Sequence, residues 1–184
     1  MHSRIFEIGS APIPLEERAS LSDLPDWFFE VIADYGVDIP DAQRESELDW
    51  FIGRFDGNCH RDGEKITFKQ QTKEDYFKAK HEKFLTAVAA LMNCSLDDFA
   101  GSTSNTDLHG KVYALTSAYN DKFGFYVYDW EGDGLCTMDQ WLRSADLSQE
   151  YYIGGIIDYD KPGNICYSTL RNQEQLLYRK DTVP

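Results

Sequence analysis

Asp129, Glu131 and Asp133 alternate along one short stretch, Gly134 follows, and Leu135, Thr137 and Gln140 continue the run of oxygen-bearing positions. Calcium takes roughly six to eight oxygen ligands in a flexible cage, and carboxylates at alternate positions around a sharp turn can supply them. The same residues also suit a hairpin. Glu131-Gly132-Asp133-Gly134 has the composition of a tight turn, and Thr137 with Gln140 three residues on is a capping box opening a short helix through Trp141 and Leu142.

Over twelve residues the stretch resembles an EF-hand loop. Asp129, Glu131, Asp133, the Leu135 carbonyl, Thr137 and Gln140 fall at its ligand positions, and Gly134 falls at its glycine. The resemblance implies Ca2+ as a cofactor held by Asp129, Glu131, Asp133 and Gln140. This sequence departs from the pattern at Gln140, where a glutamate would give two carboxylate oxygens, and at Glu131, a longer arm than the usual Asp or Asn. Residues 123–128 also read as a strand, whereas an EF-hand loop is entered from a helix. Turn and cap account for every residue and are the favoured reading.

Other reactive side chains form no comparable pattern. Cys59 and His60 could pair as thiol and base with His81 or His109 nearby, but adjacent side chains rarely face each other. Cys59, Cys94, Cys136 and Cys166 lack the close ligand pairs of a zinc site and the spacing of a disulfide framework, which predicts reduced thiols. A carboxylate enzyme would have to gather distant residues such as Asp129, Asp158 and Asp160. No phosphate-binding glycine loop, HExxH or GxSxG pattern occurs.

Charge is the strongest global feature. The 184 residues hold 18 Lys and Arg against 32 Asp and Glu, a net charge of −14. Residues 1–60 carry −9 of it, residues 61–100 none and residues 101–184 the remaining −5. Phosphate neutralisation needs a basic surface, so direct nucleic-acid binding is disfavoured, as is an anionic membrane. The acidic N-terminal third reads first as a solvated face that keeps a chain soluble, and such a face can also meet a basic surface. The leading expectation is therefore an acidic protein-interaction module for a basic-surfaced partner. Its sharpest version is a mimic of the DNA backbone that occupies a DNA-binding protein; the alternatives are a carboxylate enzyme and a weak calcium binder. No apolar run approaches a bilayer's thickness and no secretory leader is evident, so the cytoplasm is the expected location.

The elements that must position these residues follow from periodicity. Arg4–Ile8 reads as an edge strand before Pro12 and Pro14. A helix is expected within Ser22–Tyr35, with Phe28, Ile32 and Tyr35 on one stripe, and a second over 41–52. Residues 56–63 read as a turn-rich loop and Glu64–Lys69 as a strand. Thr72 and Asp75 form a capping box before a long helix whose apolar stripe runs through Phe77, His81, Phe84, Val88 and Leu91, placing His81 in the core. Asn93 closes that helix, Ser95 caps a short turn through Phe99, residues 101–107 form a polar loop, and beyond it the chain changes to strand character. Residues 151–160 and 165–170 suggest an antiparallel hairpin across the Pro162-Gly163 turn. The sum is one α+β domain over 1–184, with helices mainly in the N-terminal half and an antiparallel sheet mainly in the C-terminal half.

Overall fold

The computed structural model describes residues 2–100, 107–119, 126–129, 131–132 and 134–160. Their sheet is organised around β7 (Tyr151–Asp160), rich in the Tyr and Ile that favour strands. On one edge β7 pairs antiparallel with β1 (His2–Gly9), from His2 opposite Asp160 to Gly9 opposite Tyr152. Two short strands share its other edge: β4 (Lys65–Phe68) takes Tyr151 and Tyr152, and β2 (Tyr35–Asp38) takes Ile157 to Asp160. β3 (Cys59–Asp62) extends the sheet beyond β4. Beyond β1 come β5 (Tyr126–Asp129), parallel to it, and then β6 (Gly134–Thr137).

This is an α+β fold, as the composition of its segments predicts. Helices are spread along the chain, and N-terminal strands complete the sheet that β7 centres. β1 is an interior strand rather than the expected edge, because β7 and β5 flank it and the prolines lie past its end at Gly9. The partner strand proposed at 165–170 lies outside the described residues. Ile157–Asp160 of β7 already pairs on both edges, with β1 and with β2.

Alternation along the strands divides the core into two layers. Phe6, Ile8, Val127, Ile153 and Ile156 face α2 (Asp41–Gly53) and α6 (Met138–Ser144), with Leu48, Phe51, Trp141 and Leu142 buried against them. The first half of α3 (Thr72–Met92) joins this layer through Tyr76 and Phe77. Ile5, Tyr126, Tyr128, Ile157 and Tyr159 face the other way, onto Ala19, Leu24 and Phe28 of α1 (Asp26–Val31).

Three local expectations are corrected. The helix within Ser22–Tyr35 stops at Val31, and Tyr35 begins β2 instead, opposite Asp160. Thr72 is not the cap of α3: Gln71 occupies that place, and the Thr72 hydroxyl donates to the carbonyls of Lys69 and Asn58. His81 is exposed, because the covered stripe of α3 passes through Lys80 and Phe84 rather than beside them. Cys59–Asp62, expected as loop, is strand β3. The caps at Asn93 and Ser95 hold, with Ser95 and Asp98 exchanging hydrogen bonds at the start of α4 (Leu96–Ala100). Beyond it, where strand was expected after residue 107, α5 (Asp107–Tyr119) is a helix packed on α3. Among the described residues no helix is long and apolar enough to cross a membrane.

Candidate functional site

The acidic stretch is a hairpin that ends in a helix cap. β5 and β6 pair from Tyr126 opposite Thr137 to Asp129 opposite Gly134. Asp129 Oδ1 accepts the N–H groups of Glu131 and Gly132 at 3.1 and 3.0 Å, so the first acid of the motif holds the turn together. Gly134 has φ of 67°, a backbone region that glycine enters without strain. Thr137 is the N-cap of α6: its hydroxyl accepts from Gln140 N–H, and Gln140 Oε1 accepts the Thr137 N–H at 2.9 Å. Glu131 Oε2 accepts the Ser10 hydroxyl at 2.5 Å. Asp133 lies outside the described residues. Asp129 and Gln140 thus direct their oxygens at backbone donors, as turn and cap require.

A cleft of about 360 Å³ opens beside this hairpin. Asp129, Glu131 and Asp146 give it three carboxylates, and Trp141 and Tyr151 give it an aromatic floor. The Ser148 hydroxyl and backbone N–H hold the Asp146 carboxyl below the usual carboxylate range. Tyr151 donates its hydroxyl to the Asp146 carbonyl and accepts from Gln149. Such a lining suits a basic side chain rather than a metal ion, since Asp129 and Asp146 already accept backbone N–H groups. Its members come from residues 8 to 151, so sequence spacing carries no sign of it.

The dispersed catalytic candidates stay apart. Asp158 bonds Arg4 at 2.8 Å, and the same guanidinium grips both Glu47 oxygens at 2.7 and 3.0 Å. That hydrogen bonding, against the cost of burial, raises the Arg4 pKa above its ordinary value. Asp160 lies two residues further along β7, opposite His2 and Tyr35. Asp129 follows Tyr128, which is paired with Glu7, so it lies level with Ile8, about 13 Å along β1 from Arg4. Cys59 is buried while His60 is exposed, as neighbours on a strand must be when one face is core. Burial pushes the Cys59 thiol up to about 12, which is the wrong direction for a nucleophile. His81 and His109 are exposed, and Cys166 lies outside the described residues. Among the described residues no group of three or more His, Cys, Asp or Glu is placed to hold a metal ion.

A different feature stands out along residues 19–43. Residues 19–43 contain Asp23, Asp26, Glu30, Asp34, Asp38 and Asp41 and no Lys or Arg. Two of these acids serve the local fold: Asp23 caps the turn at Ser20, and Asp38 accepts the Leu21 N–H at 2.7 Å. Asp26, Glu30 and Asp34 are exposed, and Trp27, Val31, Tyr35 and Val37 are 44%, 56%, 62% and 43% exposed. On α1, Trp27 and Val31 stand exposed among Asp26, Glu30 and Asp34; Tyr35 and Val37, opposite Asp160 and Asp158, turn toward the other face of the sheet, where Arg4 bonds Asp158. The sequence signal was the run of acids; the exposure of the aromatics is visible only in the fold.

No protein-family model, curated protein or solved structure matches this chain.

Proposed function

We propose that this chain is a non-enzymatic interaction module that engages a basic-surfaced protein through the acidic, aromatic segment Asp26–Asp38. The observation that carries the reading is the exposure of Trp27 and Val31 on α1 among Asp26, Glu30 and Asp34, within residues 19–43 that hold no Lys or Arg. Aromatic anchors supply the area that dominates interface energetics, and their ring faces attract guanidinium groups. The surrounding carboxylates select a basic partner and speed its approach. The separation of Asp129 from Asp158 and Asp160 supports a binding role over a catalytic one.

The test is affinity capture by the full chain at low and at raised salt, repeated with Asp26→Asn, Glu30→Gln and Asp34→Asn together. The partner should be basic, should dissociate steeply as salt rises, and should be lost to the triple variant. Duplex DNA added as competitor separates two forms of the reading: displacement identifies a DNA-binding partner occupied by a mimic, and indifference identifies a basic protein of another kind. Capture that ignores both salt and the three substitutions overturns the proposal.

A further inference from the structure

α3 is longer than the core it starts on. Its first half is anchored, with Lys73 donating to the Ala145 carbonyl at 2.5 Å and Lys80 paired with Asp139 of α6. From Phe84 to Leu96 the chain then holds no charged residue, in a protein of net charge −14. A helix that is apolar or small all round is normally buried all round. Here one side is covered. α5 packs along α3 and α4, and at the tip Lys111 reaches Cys94 Sγ and Asp98 Oδ2, each at 3.7 Å. The stripe through Phe84, Ala87, Val88 and Leu91 is buried or half-buried, whereas Leu85 and Met92 are 50% and 82% exposed. Leu96 and Phe99 of α4 add 78% and 70%, and Val112 of α5 adds 46%.

We propose that this helical arm is a homodimerisation surface, with the arm of a second copy of the chain as its occupant. Area is the first argument. At those exposures the five side chains together leave on the order of 600 Å² uncovered, approaching the roughly 800 Å² each partner buries in a standard interface. Charge is the second. Residues 78–119 balance Lys78, Lys80, Lys83 and Lys111 against Glu82, Asp97, Asp98 and Asp107, so the arm is neutral. A basic partner finds nothing to read there, while two copies of an acidic protein meet with least repulsion where neither carries net charge. Leu85 and Met92 are also seven residues apart, the spacing that keeps a helical seam facing its partner. A two-fold pairing gives both copies the same contacts and closes without forming filaments. The acidic segment Asp26–Asp38 stays outside this contact, so the assembly presents it twice.

Sedimentation of the full chain over the micromolar range tests the proposal. The expected mass is twice the 21.2 kDa of one chain, unchanged or strengthened as salt is raised, unlike capture through the acidic segment. Leu85→Glu with Met92→Glu should halve the mass while the circular dichroism spectrum stays native. Leu96→Lys, further along the exposed tip, gives an independent variant with the same expected result. A wild-type chain that stays monomeric throughout overturns the inference, whether its own residues 161–184 or a lipid vesicle covers the arm. A dimer that persists in both variants overturns it too.

Discussion

Glu7 accepts the backbone N–H of Gly155 at 2.6 Å from inside the sheet, and the same oxygen accepts the Ala19 N–H at 2.8 Å. The register explains why. Phe6 stands opposite Ile156 and Ile8 opposite Ile153, so Glu7 alone faces both Gly154 and Gly155, a β-bulge on β7. The carboxylate satisfies the donor that the bulge would leave unpaired and ties the segment before α1 onto the sheet. A Cβ at Gly155 would overlap the Ala19 carbonyl, which is backbone and cannot swing aside. Gly155→Ala is therefore expected to cost about 1–3 kcal/mol or more through overpacking. Urea unfolding midpoints check this, and an unchanged midpoint would dismiss the close approach.

Removing the carboxylate should act through hydrogen bonding instead. Glu7→Ala leaves two buried N–H groups without their acceptor, at about 1–3 kcal/mol each. The amides of Ala19 and Gly155 should also lose protection against hydrogen exchange ahead of the rest of the sheet. Protection that falls evenly over β1 and β7 would show a global effect, not this contact.

Legibility followed how local each cause was. The α6 cap was readable because Thr137 and Gln140 are three residues apart, and most of α3 was readable because its apolar stripe repeats over about four turns. β3 was not: Cys59–Asp62 is short and polar, and only pairing with β4 makes it a strand. α5 contains Gly110, Val112 and Thr116, so its helix depends on packing against α3. Tyr35 fits a helical stripe in sequence, yet backbone pairing with Asp160, far along the chain, prevails. At the sites, spacing revealed the hairpin acids, whereas the cleft and the exposed aromatics depend on long-range geometry that one sequence does not encode locally.

Arg4 should act as the hub of its ion triad. Arg4→Met leaves Glu47 and Asp158, with side chains 11% and 20% exposed, close together without their cation. Fully buried pairs lose about 3–5 kcal/mol when broken this way, and partial solvation reduces the expectation to about 2 kcal/mol. Adding Glu47→Leu should restore part of that loss by removing one stranded charge. Losses that simply add in the double variant would refute the coupling.

Cys59 should be the slowest of Cys59, Cys94 and Cys136 to alkylate in the native protein. Its thiol is buried and pushed up to about 12 from 9.0, so little thiolate forms near neutral pH. Folding favours the protonated thiol, so its contribution to stability is complete below pH 9 and is lost as pH rises toward 12. Mass-mapped labelling against urea should show Cys59 reacting only with global unfolding, and Cys59→Ala should flatten the decline between pH 9 and 12. Rapid native labelling would contradict the burial.

The hairpin acids give the last test, which sets cap against cation. Thr137→Ala removes the acceptor for Gln140 N–H and should cost about 1 kcal/mol in unfolding free energy with or without calcium. A ligand that binds the native state stabilises it by RT ln(1 + [L]/Kd), so a weak site contributes almost nothing at micromolar calcium. The melting temperature of the unmodified chain should not move. Gln140→Glu is the sharper variant. Its carboxylate can still accept the Thr137 N–H, preserving the capping box, and it also supplies the two-oxygen ligand that an EF-hand loop needs. If Asp129 stays committed to the N–H groups of Glu131 and Gly132, the new carboxylate has no preformed cage to complete, and the variant should remain indifferent to calcium. A calcium-dependent rise in melting temperature for Gln140→Glu would show that the loop can open into a coordinating geometry. The same rise in the unmodified protein would make Asp129, Glu131 and Gln140 a cation site.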